Sequence, residues 1–514
     1  RTVEGPIHRY TYGAAARRTA RLAHALRALG VDFGDRVATL AWNSYRHFEL
    51  YYGISGIGAV SHTINPRLHP SQIAYIVNHA ADKFVFVDLT FVPILEAIAA
   101  HLPTVRGYVI MTGAQTMPQT KLPNVLCYET LLAEQPETIE WPEFDERTAS
   151  SMCYSSGTTG EPKGVLYSHR STVIHALAAC SAERSRRTES NRCVMPIVPM
   201  FHVNGWGIPY TAPMLGTKLV LNGPAFEPEA LYDLMETEGV ASAGAVPIIW
   251  IRLLAYLEKT GKNLTTLRSL AVGGSAAPPA LIEAFERRGI DVIHGWGMTE
   301  TSPVCTTGAL KAKHYDSPER LAYQMKVGRC VYGVEMKIVD PAGAALPHDG
   351  VAQGELCVRG PWVLSSYYEN AEASAHAFTE DGWFRTGDIC TLDPDGYLTI
   401  TDRAKDLIKS GGEWISSIDL ENAVLGHDEI DEAAAIAIPH PEYSERPLLV
   451  VRRRAGSALD RAAILAYLAT KVAKWWLPDE IVFVEEMPYT ATGKISKKTL
   501  RERYKDAGVA GGAR

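Results

Sequence analysis

Hydrophobic residues near the start of the chain follow two different periods. Across residues 13–29, alanine and leucine recur every three or four positions, which predicts an amphipathic helix that ends at Gly30. Four further elements follow in chain order: a strand over 37–41, a helix over 48–57, a helix that begins near Ser71, and a strand over 84–87. Strands that alternate with helices predict a layered α/β architecture.

Two later segments, 243–247 and 270–276, are short apolar runs rich in glycine and alanine, and each predicts a strand that ends in a tight turn. Because no repeat or low-complexity linker interrupts the first half, we predict one large domain over residues 1–402. Beyond the charged segment 402–406, separate patterns at 419–424, 433–438 and 462–474 predict a second, smaller domain over residues 403–514.

Composition narrows the class of protein. A chain of 514 residues with 46% hydrophobic residues can bury a large core, and no apolar run is long enough to cross a bilayer. The net charge of −7 gives no basic field for nucleic acid. The eight cysteines lack paired ligand spacing, so we expect reduced thiols in the cytoplasm and neither disulfides nor zinc. Since the chain begins with arginine, we expect some N-terminal sequence to be missing.

A glycine-rich stretch at residues 154–165 is the strongest chemical signal in the sequence. Its glycines allow tight backbone turns, its hydroxyls and one lysine are donors for anions, and such loops suit a polyphosphate. The phosphate-binding candidates are Ser155, Ser156, Gly157, Thr158, Thr159, Gly160 and Lys163. The spacing is not that of a Walker loop. A flexible linker is the alternative, but a linker would not usually carry an embedded Pro-Lys-Gly that leads into an apolar segment.

This stretch resembles the phosphate-binding motif of the adenylate-forming enzymes, which include acyl-CoA synthetases, luciferases and peptide-synthetase adenylation domains. The resemblance implies a large N-terminal domain of layered sheets and helices, followed by a small, mobile α+β C-terminal domain. It also implies that further ATP-handling motifs follow in a fixed order, and four more segments resemble them.

The first of these segments is Gly-Trp-Gly-Met-Thr-Glu at residues 295–300. An indole can stack on adenine, a hydroxyl can donate to phosphate, and a carboxylate can hold Mg²⁺, which binds few protein carboxylates together with substrate phosphates. The expected nucleotide-binding residues here are Gly295, Trp296, Gly297, Met298 and Thr299, with Glu300 as the metal ligand; Thr299 and Glu300 are also expected to be catalytic. An isolated Thr-Glu pair in a surface turn is the alternative.

The resemblance also assigns residues around AMP and in the small domain. Gly274, Ser275 and Ala276 would lie beside AMP, although they could be packing turns. Asp388 would accept hydrogen bonds from the ribose, and Arg403 would contact ribose or phosphate, although either could form a surface ion pair. Lys405 would be the hinge about which the small domain turns.

Two assignments concern the reacting groups. In the loop at residues 488–495, Lys494 would bridge the substrate carboxylate and the α-phosphate of ATP, which repel one another. The turn at residues 410–414 would line the CoA channel through Gly411, Gly412, Glu413 and Trp414; a plain hairpin turn is the alternative.

The acyl pocket is expected around an aromatic segment at residues 198–206. By resemblance, His202 would orient the carboxylate and act in catalysis, and Trp206 would gate an apolar tunnel as in fatty acyl-CoA synthetases. Val203, Val246 and Gly273 would complete this pocket. For a lone histidine, a core turn with a satisfied imidazole is the alternative.

The implied reaction joins a carboxylic acid to CoA through an acyl-adenylate, with ATP and Mg²⁺, in a cytoplasmic homodimer. Residues 167–171 and 201–206 look closest to bacterial medium-chain and long-chain fatty acyl-CoA synthetases and to methylmercaptopropionate-CoA ligases. We therefore expect a fatty acid as substrate, with a short thioether acid or an aryl acid as alternatives. Oxidation of the adenylate, transfer to a carrier-protein thiol and a degenerate protein that only binds acyl ligands are further alternatives.

Overall fold

Two compact units make up the fold. The computed structural model describes residues 1–155, 161–180, 192–275, 277–403, 405–410, 413–490 and 494–505, without the side chains of residues 413 and 414. The first unit comprises Arg1–Glu335 and Arg359–Phe384, and the second comprises Met336–Val358 and Arg385–Arg514. The sequence predicted a boundary between residues 402 and 403, where the small domain would turn about Lys405. Packing within the units does not test such a movement, so this boundary stays a prediction.

Helices cover both units. They are α1 (Tyr12–Ala28), α2 (Tyr45–Gly56), α3 (Pro70–Ala80), α4 (Val92–Ile98), α5 (Tyr128–Ala133), α6 (His169–Ala179), α7 (Ile208–Met214), α8 (Pro228–Glu238), α9 (Pro247–Thr260), α10 (Pro279–Glu286), α11 (Arg320–Met325), α12 (Ala371–Ala377), α13 (Ser417–Leu425), α14 (Arg461–Leu468) and α15 (Lys497–Arg503). Short 3-10 turns occur at Leu89–Phe91, Ala99–His101, Ala114–Thr116, Thr299–Thr301, Ala312–His314 and Lys474–Trp476. Among the described residues, none of the helices is both long and apolar enough to cross a membrane.

The first unit contains two large sheets and one small one. The strands are β1 (Arg36–Leu40), β2 (Val60–Thr63), β3 (Phe84–Val87), β4 (Gly107–Ile110), β5 (Val125–Cys127), β6 (Ala149–Ser155), β7 (Lys163–Ser168), β8 (Cys193–Pro196), β9 (Lys218–Leu219), β10 (Ser242–Ala245), β11 (Ser269–Val272), β12 (Asp291–His294), β13 (Thr306–Thr307) and β14 (Arg329–Cys330). Their orders are β5-β4-β3-β1-β2-β6-β7, β12-β11-β10-β8-β9 and β13-β14.

Pairing in the two large sheets is parallel except between β6 and β7, which are joined by the glycine-rich loop. Buried apolar residues from helices and strands pack around both sheets, which is the usual arrangement when crossover helices cover a parallel sheet. The elements expected from hydrophobic spacing at residues 13–29, 37–41, 48–57, 84–87 and from Ser71 are confirmed by α1, β1, α2, β3 and α3.

The second unit contains two mostly antiparallel sheets. The strands are β15 (Glu335–Val339), β16 (Gly354–Arg359), β17 (Phe384–Leu392), β18 (Leu398–Arg403), β19 (Ile408–Ser410), β20 (Glu413–Ile415), β21 (Ile430–His440), β22 (Ser444–Arg453) and β23 (Glu480–Phe483). The first sheet has the order β15-β16-β17-β18, and the second has the order β20-β19-β22-β21 with β23 paired to β22. Because α13 and α14 pack on the second sheet around a buried core, this part has the predicted α+β character.

Candidate active site

Glu300 lies in a short turn that other segments of the first unit hold in place. The Tyr167 hydroxyl donates to the Thr299 carbonyl at 2.7 Å, and the Leu364 backbone N–H donates to the Glu300 carbonyl at 2.8 Å. The Glu300 carboxylate accepts from the Tyr367 hydroxyl at 2.9 Å, although only 6% of Glu300 is exposed. Burial, and then the charge of Glu300, raise the pKa of Tyr367, so its hydroxyl remains a donor at neutral pH.

Two glycines in this turn allow the chain to pass close to itself. A Cβ on Gly297 would stand 1.8 Å from the Pro303 carbonyl oxygen, and a Cβ on Gly295 would stand 3.1 Å from the Thr306 carbonyl oxygen. Trp296 between them is buried, and its backbone N–H donates to the Thr306 hydroxyl at 3.0 Å. Close packing of residues 303–306 against the turn therefore requires Gly297, and a Cβ on Gly295 would crowd the same residues.

Lys163 and Glu300 both contact the side chain of Tyr367. In the antiparallel pair β6 and β7, Ser155 is opposite Lys163, so both ends of the glycine-rich loop are adjacent. The Lys163 Nζ stands 4.9 Å from the centroid of the Tyr367 ring, whose hydroxyl binds Glu300. A cation and a carboxylate thus contact the same tyrosine side chain. The loop residues Ser156, Gly157, Thr158, Thr159 and Gly160 lie outside the described residues.

The predicted acyl-gate segment has an unusual backbone. Val203, Asn204, Gly205, Trp206 and Gly207 all have positive φ, between 47° and 73°. Left-handed conformations cost about 1–2 kcal/mol for each residue with a Cβ, and they are most unusual for β-branched valine. The Asn204 side chain donates to the Ser151 hydroxyl at 2.8 Å and accepts from the Cys153 thiol at 3.4 Å. These bonds to β6 help to hold the turn.

Trp206 packs on the ends of two strands of the second large sheet. A Cβ on Gly273 would stand 3.0 Å from the indole, and one on Gly244 would stand 3.5 Å from it. The structure thus brings Trp206 and Gly273 together, and their expected role in an acyl pocket stays a prediction. Val246 is half-buried just after β10, and His202 is half-buried, with its carbonyl accepting the Gly205 N–H at 3.2 Å.

The loop after β11 contains three of the residues expected beside AMP. Gly274 is exposed with φ of 86°, and Ser275 is exposed beside it, whereas Ala276 lies outside the described residues. The buried His294 ring lies 3.3 Å from the Ser275 carbonyl and 3.2 Å from the Met325 carbonyl. This contact joins the loop to the end of β12, after which the Glu300 turn begins.

Asp388 and Arg403 form an ion pair within the second unit. They face each other across β17 and β18, and the Arg403 Nε stands 2.9 Å from the Asp388 Oδ1. Asp388 is almost fully buried, whereas the Arg403 side chain is partly exposed. The ion pair named as the alternative is therefore present, while contacts of either residue with a nucleotide stay a prediction.

The segment around Lys405 is tied to two helices of the second unit. The Asp402 carboxylate accepts from the Ser417 backbone N–H at the start of α13, at 2.5 Å. Asp406 accepts from Arg501 of α15 at 2.7 Å. Lys405 itself is exposed, and partial desolvation together with the charge of Arg403 lowers its pKa to about 8, although Asp406 opposes the shift.

Lys494 closes a loop in the same unit. Its carbonyl accepts from the Thr490 N–H at 2.7 Å, and its N–H donates to the Thr490 hydroxyl at 3.2 Å. Desolvation, then the positive charges of Arg403 and Lys405, lower the pKa of Lys494 to about 8, whereas Asp388 raises it. Lys494 itself is exposed. The lysine therefore lies in a positively charged neighbourhood.

The expected CoA-binding turn is a hairpin between β19 and β20, in which Ser410 is opposite Glu413. Gly411 and Gly412 lie outside the described residues, as do the side chains of Glu413 and Trp414. The backbone therefore agrees with the hairpin alternative, and a role in the CoA channel stays a prediction.

Sequence reasoning missed the side chains that support the Glu300 turn. Tyr367, Trp362 and His175 lie 58 or more residues in sequence from the residues they bind, so no local spacing marks them. Nor does any local pattern mark Asn204, whose importance depends on a backbone conformation that the sequence does not reveal.

Known protein families match most of the chain. The AMP-binding enzyme family matches residues 2–368, and the AMP-binding enzyme C-terminal domain matches residues 419–494. The C-terminal match begins within α13, and it ends at Lys494.

Individual proteins are similar over nearly the full length. A 3-methylmercaptopropionyl-CoA ligase of Ruegeria lacuscaerulensis is 48% identical over 98% of this chain and 93% of its own. A long-chain-fatty-acid–CoA ligase of Thermus thermophilus is 48% identical over 98% of this chain and 91% of its own. The crystal structure of an anthranilate CoA ligase in complex with anthranoyl-AMP has a TM-score of 0.84 at 26% identity, covering 96% of this chain and 92% of its own.

The close approach at Gly297 gives a testable prediction about stability. Gly297→Ala places a methyl group where the Pro303 carbonyl lies, so we expect the free energy of unfolding to fall by about 3 kcal/mol. Gly113→Ala is the control, because its Cβ would meet only the Thr116 hydroxyl at 3.7 Å. Urea denaturation of both variants measures the difference. Equal stability of the two would show that the turn tolerates a side chain.

Proposed function

Because this chain belongs to the AMP-binding enzyme family, we propose that it is an ATP-dependent acid–thiol ligase that joins a fatty acid to CoA. The ligase class follows from relatives that are CoA ligases over nearly their whole length. ATP, Mg²⁺ and CoA are the cosubstrates and cofactor of that class. A fatty acid as the particular substrate is the finer part of the proposal.

One observation carries the proposal. Tyr367 contacts both Lys163, at the end of the glycine-rich loop, and the Glu300 carboxylate of the Thr-Glu pair. These two residues are 137 positions apart in sequence. A phosphate chain needs cations and hydroxyls, and its metal ion needs an oxygen ligand. Lys163 supplies a cation and Glu300 supplies an oxygen ligand in the same part of the first unit. This arrangement favours binding of a metal-bound polyphosphate.

Mg²⁺ fits the Glu300 turn. Among the described residues, no group of three or more His, Cys, Asp or Glu side chains is placed to hold a metal ion. One buried carboxylate, oriented by Tyr367, suits a metal that takes its other ligands from phosphates and water. When bound, the ion would neutralise charge on the phosphates. Glu300 would hold it, Tyr367 would orient that carboxylate, and Thr299 would donate to phosphate.

In the first half-reaction a carboxylate oxygen attacks the α-phosphorus of ATP. The new bond forms the acyl-adenylate, and the bond to pyrophosphate breaks. Both reacting groups are anionic, so we assign Lys494 to balance their charge. The lowered pKa of Lys494 agrees with a cation that gains stability when an anionic substrate arrives. His202 would orient the carboxylate, while Asp388 and Arg403 would bind the ribose or phosphate.

In the second half-reaction the CoA thiol loses its proton, its sulfur attacks the acyl carbon, and AMP leaves. Lys494 serves only the first half-reaction in this scheme. Lys405 is the proposed hinge between the two, and residues 411–414 are the proposed CoA channel. A cytoplasmic homodimer also remains part of the proposal.

A fatty acid is supported by Trp206, a large apolar side chain with small residues beside it. Its indole packs against the backbone of Gly273 and Gly244 at the ends of β11 and β10. Val246 is at the end of the adjacent strand β10. A short thioether acid is the second candidate, because a relative named for 3-methylmercaptopropionate is as similar in sequence as one named for long-chain fatty acids.

The substrate panel is the first test. We expect pyrophosphate release from MgATP to increase from propionate to longer straight-chain acids and to produce acyl-CoA only with CoA present. Trp206→Ala should shift the preference by about two or more methylene groups, since each methylene contributes roughly 1 kcal/mol. A maximum at methylmercaptopropionate would favour the second candidate. No ATP consumption with any acid would contradict the ligase.

The charge of Lys494 gives a pH prediction. Lys494→Ala should reduce adenylation by about 10²-fold or more, because a preorganised charge donor is lost. Since the pKa of Lys494 is lowered to about 8 in the free protein, the wild-type kcat/KM for adenylation should fall as pH rises through about 8, and the residual kcat/KM of Lys494→Ala should not. Pyrophosphate release measured from about pH 6.5 to about pH 9.5, in steps of about one pH unit, checks this. Lys405→Ala is the comparison variant, because Lys405 has a similarly lowered pKa and its charge helps to lower that of Lys494. This variant should move the fall in rate to higher pH and keep it; loss of the fall would assign the titration to Lys405.

Tyr367 gives a prediction about the metal. Tyr367→Phe removes the hydroxyl that orients the Glu300 carboxylate, so the Mg²⁺ concentration for half-maximal adenylation should rise by about tenfold. Tyr368→Phe, at the neighbouring tyrosine, is the matched control and should leave that concentration unchanged. If the two variants need the same Mg²⁺, Glu300 does not hold the metal through this arrangement.

A further inference from the structure

Lys497 is a largely buried lysine of the second unit that the proposed function leaves without a role. It is the first residue of α15, and only 15% of its side chain is exposed. The Lys497 Nζ stands 2.7 Å from the Glu421 Oε1 and donates to the Ser417 hydroxyl, and both partners belong to α13. Glu421 is itself fixed, because it accepts the Ala435 backbone N–H of β21 at 2.8 Å.

Three carboxylates act on the Lys497 ammonium group, from α13 and from the segment around Lys405. They belong to Glu421, Asp402 and Asp406. Burial alone would lower the pKa of Lys497, but the charges of these carboxylates outweigh burial and raise that pKa, so the group stays protonated at neutral pH. The charge of Lys497 is therefore permanent under working conditions, and it attracts acidic groups from two separate segments.

A narrow loop connects Lys497 to Lys494, which precedes it by three positions. The Ser496 N–H donates to the Pro488 carbonyl at 2.7 Å, and the Thr490 N–H donates to the Lys494 carbonyl at the same distance. These two hydrogen bonds join the two sides of the loop. Because Lys497 directly follows its last hydrogen-bonded residue, a change in the position of Lys497 moves the base of the loop that carries Lys494.

Asp402 connects the same contacts to the ion pair expected to bind the nucleotide. One oxygen of its carboxylate accepts from the Ser417 N–H at 2.5 Å, and the other accepts from the Arg403 N–H at 2.7 Å. Arg403 faces Asp388 across β17 and β18. Asp402 therefore joins the start of α13, where Lys497 binds, to the strand that presents Arg403.

We propose that Lys497 is a positioning residue for adenylation, which holds the Lys494 loop against α13 and Asp402 and so keeps the Lys494 ammonium group near Arg403. The proposal rests on the function proposed above, in which Lys494 balances the charges of a carboxylate and a phosphate. Two cations held near one another can act on the same anionic substrate.

Like-charge repulsion explains why such a restraint is needed. Desolvation, and then the positive charges of Arg403 and Lys405, lower the pKa of Lys494 to about 8, and Asp388 compensates only in part. In the free protein these cations repel one another, so a loop without a restraint would move Lys494 away from Arg403. Lys497 supplies the restraint, because its own charge is matched by acidic partners on α13 and β18.

The first test measures the pKa of Lys494 without using the enzymatic reaction. The protein is treated with a trace of acetic anhydride at a series of values from about pH 6 to about pH 11, and acetylation of each lysine is measured by mass spectrometry. Because only the uncharged amine reacts, the pH of half-maximal labelling reports the pKa. Lys498, which is exposed on the same helix, is the internal reference.

Two variants separate a change of position from a change of charge. Lys497→Met removes a positive charge and Glu421→Met removes a negative one, yet both break the same ion pair. If only charge mattered, the two variants would shift the pKa of Lys494 in opposite directions. If the restraint matters, both raise this pKa, because Lys494 moves away from Arg403. Lys498→Met is the matched control for loss of a lysine from α15.

Thermal unfolding shows whether each variant is folded. If Lys497→Met does not fold, the double variant with Lys497→Met and Glu421→Met takes its place. An apolar pair in place of a buried ion pair often leaves stability unchanged, whereas removal of one partner leaves an unmatched charge. The double variant lacks the restraint and keeps the net charge, so a raised pKa of Lys494 in this variant has the same meaning.

We expect half-maximal labelling of Lys494 at about pH 8 in the wild type, and about one pH unit or more higher in both single variants. Lys498→Met should leave it unchanged. A wild type in which Lys494 and Lys498 are labelled alike, a midpoint that does not move in either variant, or shifts of opposite sign would each overturn the proposal.

The two half-reactions give a second readout, with decanoate, or with methylmercaptopropionate if that acid turns over faster. Lys497→Met should reduce kcat/KM for pyrophosphate release about tenfold, because a misplaced charge donor stabilises the transition state less. Thioester formation from the synthetic acyl-adenylate and CoA should change by less than about twofold, since Lys494 serves only the first half-reaction. Equal losses in both would contradict a positioning role. A wild type that consumes no ATP with any acid would instead contradict the ligase, and the labelling experiment does not depend on that activity.

Discussion

A carboxylate that is removed from water must be matched by donors, and the first unit is arranged around one such group. Glu300 is 6% exposed, and an unpaired charge in that position would cost several kcal/mol. The Tyr367 hydroxyl faces it, while Tyr167 and Leu364 bind the backbone on either side of it. These partners come from two segments that are distant from Glu300 in sequence, β7 and residues 364–367. Placing one carboxylate thus constrains where distant parts of the chain must lie.

The same turn depends on the absence of side chains. Gly295 and Gly297 let residues 303–306 pass at a distance that a Cβ would block, and Gly273 lets the Trp206 indole lie against the backbone. These glycines are needed for close approach rather than for a positive φ. The left-handed turn at residues 203–207 does require unusual φ, and there the structure places valine, asparagine and tryptophan. Strain of this kind persists only where neighbours hold it, as β6 holds Asn204.

The sequence could predict elements whose signal is local. The spacing of apolar residues in 13–29 predicts α1, and the apolar run at residues 84–87 coincides with β3. In both cases the hydrophobic pattern within the segment is enough to predict the type of element. Short motifs also singled out Lys163, Glu300, Trp206 and Gly273 as candidates by resemblance, and their roles stay predictions. It could not predict Tyr367 or His175, because their roles arise when segments far apart in sequence meet. Nor could it predict that residues 336–358 pack with the chain after Phe384.

Charge is distributed unequally between the two units. In the second, Lys494, Lys405 and Arg403 lie close enough to lower the pKa of both lysines, and Asp388 compensates only in part. Such a surplus of positive charge is unfavourable in the free protein, and it becomes favourable when an anion with more than one charge is bound. In the first, the buried Glu300 carboxylate accepts from the Tyr367 hydroxyl, and Lys163 lies against the ring of the same tyrosine. The surplus in the second unit favours an anion such as a phosphate, whereas the carboxylate in the first unit favours a metal ion. Each unit, taken by itself, therefore suits one component of the metal-bound nucleotide proposed as the ligand.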